Sequence, residues 1–356
     1  MTKLTLIGAG KIGEAIIHLL ARTGDYELRV VDSDLQRLAP MKDSGAECLA
    51  ADIREPGVLE RALSGQDVVV SACPFFLTPA IARAAQAAGA HYLDLTEDVE
   101  STREVMAIAR GSKSALIPQC GLAPGFISIV ANDLAQRFDK LRDVYMRVGA
   151  LPTYPNNALK YNLTWSTDGL INEYCNPCQS IRDGKPMDTL PLEEVESFSL
   201  DGVDYEAFNT SGGLGTLAET LAGRVENLNY KTVRYPGHRD IVKTLVRDLR
   251  LDRRRDLLKD VLEAAIPMTK QDVVLVYVSV TGEREGRLQQ EVYAKKIYAQ
   301  EIDGRLFSAI QVTTAAGICA MVDLLVEGKL PSSGFVRQEH APLSAFLANR
   351  FGSYYA

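Results

Sequence analysis

The turn Gly8-Ala-Gly10-Lys-Ile-Gly13 follows an apolar run at 4–7 and opens an amphipathic stretch, and it constrains the fold more than any other segment. A strand that passes through a glycine turn into a helix aims backbone N–H groups at a pyrophosphate. Gly8 permits the turn, Gly10 lets the phosphates approach, and Gly13 lets the helix lie close to the strand. A second strand-like run at 27–31 ends in Asp32, 19 positions beyond Gly13. There a carboxylate receives the ribose 2′-hydroxyl of NAD and repels the 2′-phosphate of NADP. The expectation is a dinucleotide fold taking NAD, with Gly8, Gly10, Lys11, Ile12, Gly13 and Asp32 on the cofactor. Such a fold serves many chemistries, or merely senses its cofactor, so the reaction has to be sought elsewhere in the chain.

A chain of 356 residues has room for two domains, each with its own core. A formal net charge of -7 argues against nucleic acid or an anionic membrane surface as partner. The basic run at 250–255 does not reverse this, because Asp252 interrupts it and the residues that follow read as a helix with a solvated face. The first strand begins almost at Met1, which leaves no room for a signal peptide, and apolar runs such as 273–278 are too short to cross a bilayer. Cytoplasm is the expected location. The six cysteines include one close pair, Cys175-Asn-Pro-Cys178, with no second pair or nearby histidine to complete a metal site. Free thiols and no metal are therefore expected.

Beyond Asp32 the pattern alternates as a doubly wound parallel sheet requires. A short strand at 48–52 ends in Asp52, placed near the adenine, and the buried-type strand at 67–73 brings Cys73 and Pro74 to the cofactor edge. Strands follow at 92–96 and 115–118, each after a helical segment. Beyond Cys120-Gly-Leu-Ala-Pro-Gly125 the pattern changes: a helix at 126–135, then long alternating strands at 141–148, 273–280 and 292–302. The fold class is α/β: a Rossmann-like dinucleotide-binding domain at 1–122, then an α+β substrate and dimerisation domain on a largely antiparallel sheet at 123–312. A C-terminal segment, 313–356, returns to the first domain, and the active site is expected between the two domains.

Candidate chemistry gathers in a few segments. Asp94-Leu-Thr96-Glu97-Asp98 follows a sheet strand on the ligand-binding edge; Asp98 and Glu100 suit helix capping, which leaves Asp94 and Glu97 as candidate bases. The loop carrying Cys120 and Pro124 lines the nicotinamide side or simply links the domains. Thr210 lies in a flexible segment rich in small donors, Phe208-Asn-Thr-Ser-Gly-Gly213. In Tyr230-Lys-Thr-Val-Arg-Tyr-Pro-Gly-His238, Arg234 suits bidentate recognition of a carboxylate and Lys231 holds one as a point charge. On a strand, Lys231 and Tyr235 would face one side and Arg234 the other, so the two cations need not share a site. His238, in a turn after Pro236-Gly237, either shuttles a proton or fixes its loop, and Trp165 either walls an apolar pocket or packs in a core or dimer contact.

Taken together, these motifs resemble the saccharopine dehydrogenase-like group, most closely the lysine 6-dehydrogenases. The likeness runs from the glycine turn through Tyr92-Leu-Asp94-Leu, Leu122-Ala-Pro-Gly125 and 208–213 to 230–238. It implies oxidation of the ε-amino group of L-lysine with NAD, loss of ammonia, and cyclisation of the aldehyde to 1-piperideine-6-carboxylate, in a homodimer or higher homo-oligomer. Beside it, the residues read above stand as candidates: Asp94, Glu97 and His238 for catalysis, and Trp165, Thr210, Lys231, Arg234 and Tyr235 for the substrate. One departure is Thr96-Glu97, where the group commonly carries Gly-Gly; the extra acid is available to the substrate amine. The alternatives are a saccharopine-type enzyme acting on a related secondary amine or amino acid, which needs a second carboxylate pocket, and an NAD-binding regulatory protein with no turnover.

Overall fold

The computed structural model describes residues Met1–Ala356. It forms two compact units, one of Met1–Phe126 with Gln311–Ala356 and one of Ile127–Ile310. The first alternates strand and helix: β1 (Thr2–Ile7), α1 (Lys11–Ala21), β2 (Tyr26–Asp32), α2 (Leu35–Leu38), β3 (Glu47–Ala50), α3 (Val58–Leu63), β4 (Val68–Ser71), α4 (Thr78–Ala88), β5 (His91–Asp94), α5 (Val99–Ile108) and β6 (Ala115–Ile117). The middle of the chain holds α6 (Phe126–Ala135), β7 (Lys140–Pro152), α7 (Thr167–Cys175), β8 (Cys178–Arg182), β9 (Lys185–Thr189), β10 (Glu196–Leu200), β11 (Val203–Asn209), α8 (Leu217–Thr220) and β12 (Val225–Arg234). There follow α9 (His238–Lys243), α10 (Arg255–Ala265), β13 (Asp272–Arg284), β14 (Arg287–Tyr298), β15 (Gln300–Ile302) and β16 (Arg305–Phe307). The last elements are α11 (Ala309–Val326), β17 (Gly334–Phe335) and α12 (Leu343–Ala348).

The sheet of the first unit has the order β17-β6-β5-β4-β1-β2-β3, and every pair in it is parallel. Burial on both faces explains why Val68, Val69 and Val70 follow one another without alternation and are all within 1% of full burial. The strand order turns at β1, whose neighbours are β2 and β4, and that is where open α/β sheets take their ligands.

The second sheet runs β10-β11-β12-β7-β13-β14, with β8 on β12 and β9 on β8. The long β7–β13 and β13–β14 pairs are antiparallel, whereas β7 and β12 are parallel, so the sheet is mixed. Its two faces differ. Phe208 on β11 joins Tyr161, Tyr174, Leu258 and Leu262 in one core, and Val233 on β12 joins Leu151, Tyr205, Ala207 and Leu275 in another. The helix expected after the basic run is α10, which supplies Leu258 and Leu262 from its apolar stripe.

One expectation fails at α11. This helix has 18 residues at a mean hydropathy of 1.8, long and apolar enough to cross a bilayer, yet 89% of it is buried inside the protein. A helix apolar on all sides needs such a core when no lipid surrounds it. Asp272 caps its start, accepting from the N–H groups of Ala309 at 2.5 Å and Ile310 at 3.1 Å, and burial pushes that carboxyl up to about 6.

Candidate active site

The glycine turn takes its shape from contacts that leave no room for side chains. Gly8 has φ of +100°, and a Cβ on it would meet the Ala72 carbonyl oxygen at 2.8 Å. A Cβ on Gly13 would lie 2.0 Å from the Gly8 oxygen, whereas one on Gly10 would meet nothing within 4 Å. Gly10 is the N-cap of α1 and brings no side-chain cap, so the first N–H groups of the helix face the open space in front of it. Exposed Lys11 and half-buried Ile12 open the same helix. Asp32 ends β2 beside this turn. Its Oδ2 accepts from Ala9 N–H at 2.7 Å and its Oδ1 from Asp34 N–H at 2.8 Å. A carboxylate has about four lone-pair sites, so capacity remains for a hydroxyl. The open cradle, the uncapped helix start and this carboxylate fit a dinucleotide.

Asp52, after β3, is gripped by Arg54 through a 2.6 Å ion pair, and that hydrogen bonding holds it down to about 2. Cys73 follows β4 with its thiol pushed up to about 12 by burial and by the Asp32 carboxylate, and Pro74 then leads into the turn Phe75–Leu77. Cys120 is fully buried, its thiol 3.0 Å from the Ile117 carbonyl, and burial raises it well above the usual thiol range. Its loop closes on itself: Phe126 N–H donates to the Gly121 oxygen at 2.9 Å, around a cis Ala123–Pro124 peptide.

Asp94, at the end of β5, ties two loops together. Oδ1 accepts from Thr96 N–H at 2.9 Å and Gln119 N–H at 3.0 Å, and its backbone carbonyl accepts from Cys120 N–H at 2.8 Å. Burial pushes the carboxyl up to about 6 against the pull of those N–H groups. Glu97 is half-buried in the turn that Asp94 fixes, and Asp98 caps α5 by accepting from Ser101 N–H at 2.7 Å.

In the second unit a chain of hydrogen bonds surrounds Arg234. Its Nε donates to the Tyr174 hydroxyl at 3.1 Å, and His238 Nε2 lies 3.0 Å from that hydroxyl. His238 Nδ1 lies 2.8 Å from the Leu159 carbonyl, which only accepts, so Nδ1 carries the proton and Nε2 accepts from Tyr174. Burial first, then the Arg234 charge, push His238 down to about 3, and the imidazole stays neutral at physiological pH. Arg234 is 3% exposed, lies 4.9 Å above the Tyr161 ring, and has Glu173 as counterion at 3.9 Å. Its only other hydrogen bond goes to the Val233 carbonyl, so most of its fork remains for a further acceptor. The buried hydroxyl of Thr210, in the same unit, lacks a hydrogen-bond partner. Trp165 packs half-buried against the core that contains Tyr161.

The structure does not bring every candidate to Arg234. Lys231 lies on the other face of β12, bonded to the Glu194 carbonyl at 2.6 Å and to Glu196 at 3.0 Å. Tyr235 donates to the Pro152 carbonyl at 2.9 Å and stacks on Tyr205, again away from Arg234. Conversely, Glu173, Tyr174 and Tyr161 sit against Arg234, and sequence reasoning passed over them. A helical Glu-Tyr pair has an ordinary composition, and only the fold reveals what it faces.

Comparison with known families decides the kinship. The saccharopine dehydrogenase NADP binding domain matches residues 4–115, and the saccharopine dehydrogenase C-terminal domain matches residues 121–351. The chain belongs to the saccharopine dehydrogenase family. Its first unit is accordingly an NAD(P)-binding domain of Rossmann type in an oxidoreductase. Among relatives, a Saccharomyces cerevisiae saccharopine dehydrogenase [NADP(+), L-glutamate-forming] is 24% identical over 255 residues, 68% of this chain and 56% of that protein. The mitochondrial alpha-aminoadipic semialdehyde synthase of Bos taurus is 20% identical over 320 residues, 83% of this chain and 33% of that protein. The chain thus spans between a third and about half the length of these relatives. The solved apo saccharopine dehydrogenase (L-Glu forming) from Saccharomyces cerevisiae shares the fold, with a TM-score of 0.79 at 18% identity over 99% of this chain and 98% of that one.

Proposed function

We propose that this family member is a saccharopine-type dehydrogenase that oxidises an amine carbon in an amino-acid substrate, using NAD. The observation that carries the reading is the buried Arg234 fork, whose nearest counterion stands 3.9 Å away. A buried cation so weakly paired is costly, and a substrate carboxylate offsets that cost. Glu173 lies beside it to receive a substrate ammonium, and Thr210 and Trp165 complete the binding surface. Gly8, Gly10, Gly13 and Asp32 would hold the dinucleotide, which when bound supplies the acceptor for hydride from the carbon bearing the amine. Glu97 takes the amine proton, since only a neutral amine releases hydride, and Asp94 positions its loop. His238 orients Tyr174 and through it Arg234; a group held near pKa 3 with its acceptor nitrogen occupied is a poor base at neutral pH. Water then cleaves the resulting C=N bond to a carbonyl and an amine, or to ammonia when the amine is primary.

The kinship favours a secondary amine of the saccharopine kind. One observation favours the alternative of L-lysine ε-deamination: Arg234 receives one carboxylate, and Lys231, which lies on the opposite face of its strand beside Glu196, does not reach the same substrate. Reduced cofactor formed from L-saccharopine and from L-lysine, each with NAD and with NADP and without 2-oxoglutarate, separates the two readings. Cofactor binding with no turnover on either substrate or on a wider amine panel would sink both and leave a regulatory protein.

A further inference from the structure

A cavity of about 290 Å³ lies in the second unit, on the face of the mixed sheet turned away from Arg234, and nothing in the proposed reaction uses it. Arg147 on β7 and Lys231 on β12 are register partners on adjacent parallel strands, so both cations project into it from neighbouring positions. Two like charges so placed repel one another, and a single carboxylate, Glu196, bridges them. Arg147 Nη2 donates to Glu196 at 3.1 Å, Lys231 Nζ donates to it at 3.0 Å, and Arg147 Nη1 donates to Asn229 Oδ1 at 2.7 Å. The side chains of the two cations are only 5% and 7% exposed, whereas that of Glu196 is 38% exposed. Arg182 and Glu194, also in the lining, pair with each other at 2.6 Å. Three cations therefore face two carboxylates, and one positive charge is left over in a cavity walled by amide and hydroxyl side chains.

We propose that this cavity binds a small organic carboxylate, received by Arg147 and Lys231 beside or in place of the Glu196 carboxylate. Glu196 already shows where a carboxylate belongs: it stands at the mouth, half in solvent, on two buried donors. Arg147 and Lys231 each retain an N–H beyond those the protein uses, so a second oxyanion finds donors without displacing the backbone contacts. The volume exceeds what one inorganic phosphate fills and lies just below the usual range of ligand pockets, about 300–1,000 Å³. Lining amides such as Asn227 and Asn229 suit the polar body of an organic acid.

The test is calorimetric titration of the full chain with glutarate, L-glutamate and inorganic phosphate at constant ionic strength, in wild type and in two variants. Glu196→Gln removes the internal competitor while keeping a hydrogen-bonding side chain, and it should tighten glutarate or glutamate binding about tenfold. Lys231→Met removes one of the two charged donors and should weaken binding about tenfold or more. The opposite signs matter, because a trio that only holds the sheet together would lose stability in both variants and gain affinity in neither. Carboxylate binding insensitive to both substitutions, or weakened by Glu196→Gln, overturns the proposal, as does saturation by phosphate alone. If Lys231→Met does not fold, the sign of the Glu196→Gln effect decides.

Discussion

Gly10→Ala and Gly13→Ala separate what the glycine turn does for the fold from what it does for a ligand. A methyl on Gly13 would sit 2.0 Å from the Gly8 backbone oxygen, where van der Waals contact needs about 3.5 Å. The obstacle is backbone at the crossing of β1 and α1, so relief requires the turn or the helix to move. Overpacking of this severity costs on the order of 3 kcal/mol. At roughly 2–4 °C per kcal/mol, the melting temperature should drop by about 6 °C or more without any ligand. Gly10 is different: its Cβ position is open to 4 Å and its φ of -71° suits any residue. Loss of a glycine N-cap and the gain from a stiffer unfolded chain oppose each other, leaving a change within about 1 kcal/mol. The methyl would occupy the space through which phosphates reach the first N–H groups of α1. Losing one such charge-assisted hydrogen bond is worth about 1.5–3 kcal/mol, so the dissociation constant for NADH should rise about tenfold to a hundredfold. Thermal denaturation of the apo protein and fluorescence titration with NADH give the two readouts. Tight NADH binding by Gly10→Ala would refute the cradle, and an unchanged melting temperature in Gly13→Ala would refute the close-packing argument.

Arg234→Lys keeps the charge but loses the fork, so KM for carboxylated substrates should rise about tenfold or more while cadaverine is unaffected; an equal effect on both would place the carboxylate elsewhere. His238 is depressed in the folded state, from 6.5 to about 3, so its neutral form stabilises the fold above the unfolded pKa and that stability is lost as pH falls from about 6.5 toward 3. Asp94 and Asp272 are raised from 3.8 to about 6, so their contribution is present below the unfolded pKa and is lost as pH rises through about 6. Urea midpoints measured between those limits should therefore show His238→Asn losing less stability on acidification than wild type, and parallel profiles would contradict the buried neutral imidazole. Asp98→Ala should cost about 1 kcal/mol in urea unfolding, the worth of the N-cap of α5, with no change in cofactor affinity.

The parts of this protein that were legible in its sequence are those whose cause is local. Gly8, Gly10 and Gly13 announce a strand, a turn and a helix because each answers a steric demand within a few residues. Alternation along 230–235 separates Lys231 from Arg234 for the same reason: a period of two is a property of the strand itself. The parallel pairing of β7 with β12 has no such signature, since it joins residues some 84 positions apart, as Val148 and Thr232 show, and antiparallel and parallel strands share one pattern here. Burial is likewise non-local. His238 carries the composition of a turn histidine, yet its contact with Tyr174 cannot be inferred from its neighbours, and the Leu159 carbonyl that fixes its tautomer lies 79 residues away. Glu173 escaped notice because its importance comes from Arg234, 61 positions on, and from the depth at which the two meet. A charged residue becomes informative when its desolvation has to be offset, and only the fold says where that happens. Arg234 meets its counterion only at 3.9 Å for all its depth, and Lys231 and Arg147 share Glu196 between them, so an added carboxylate would relieve the same imbalance in both places.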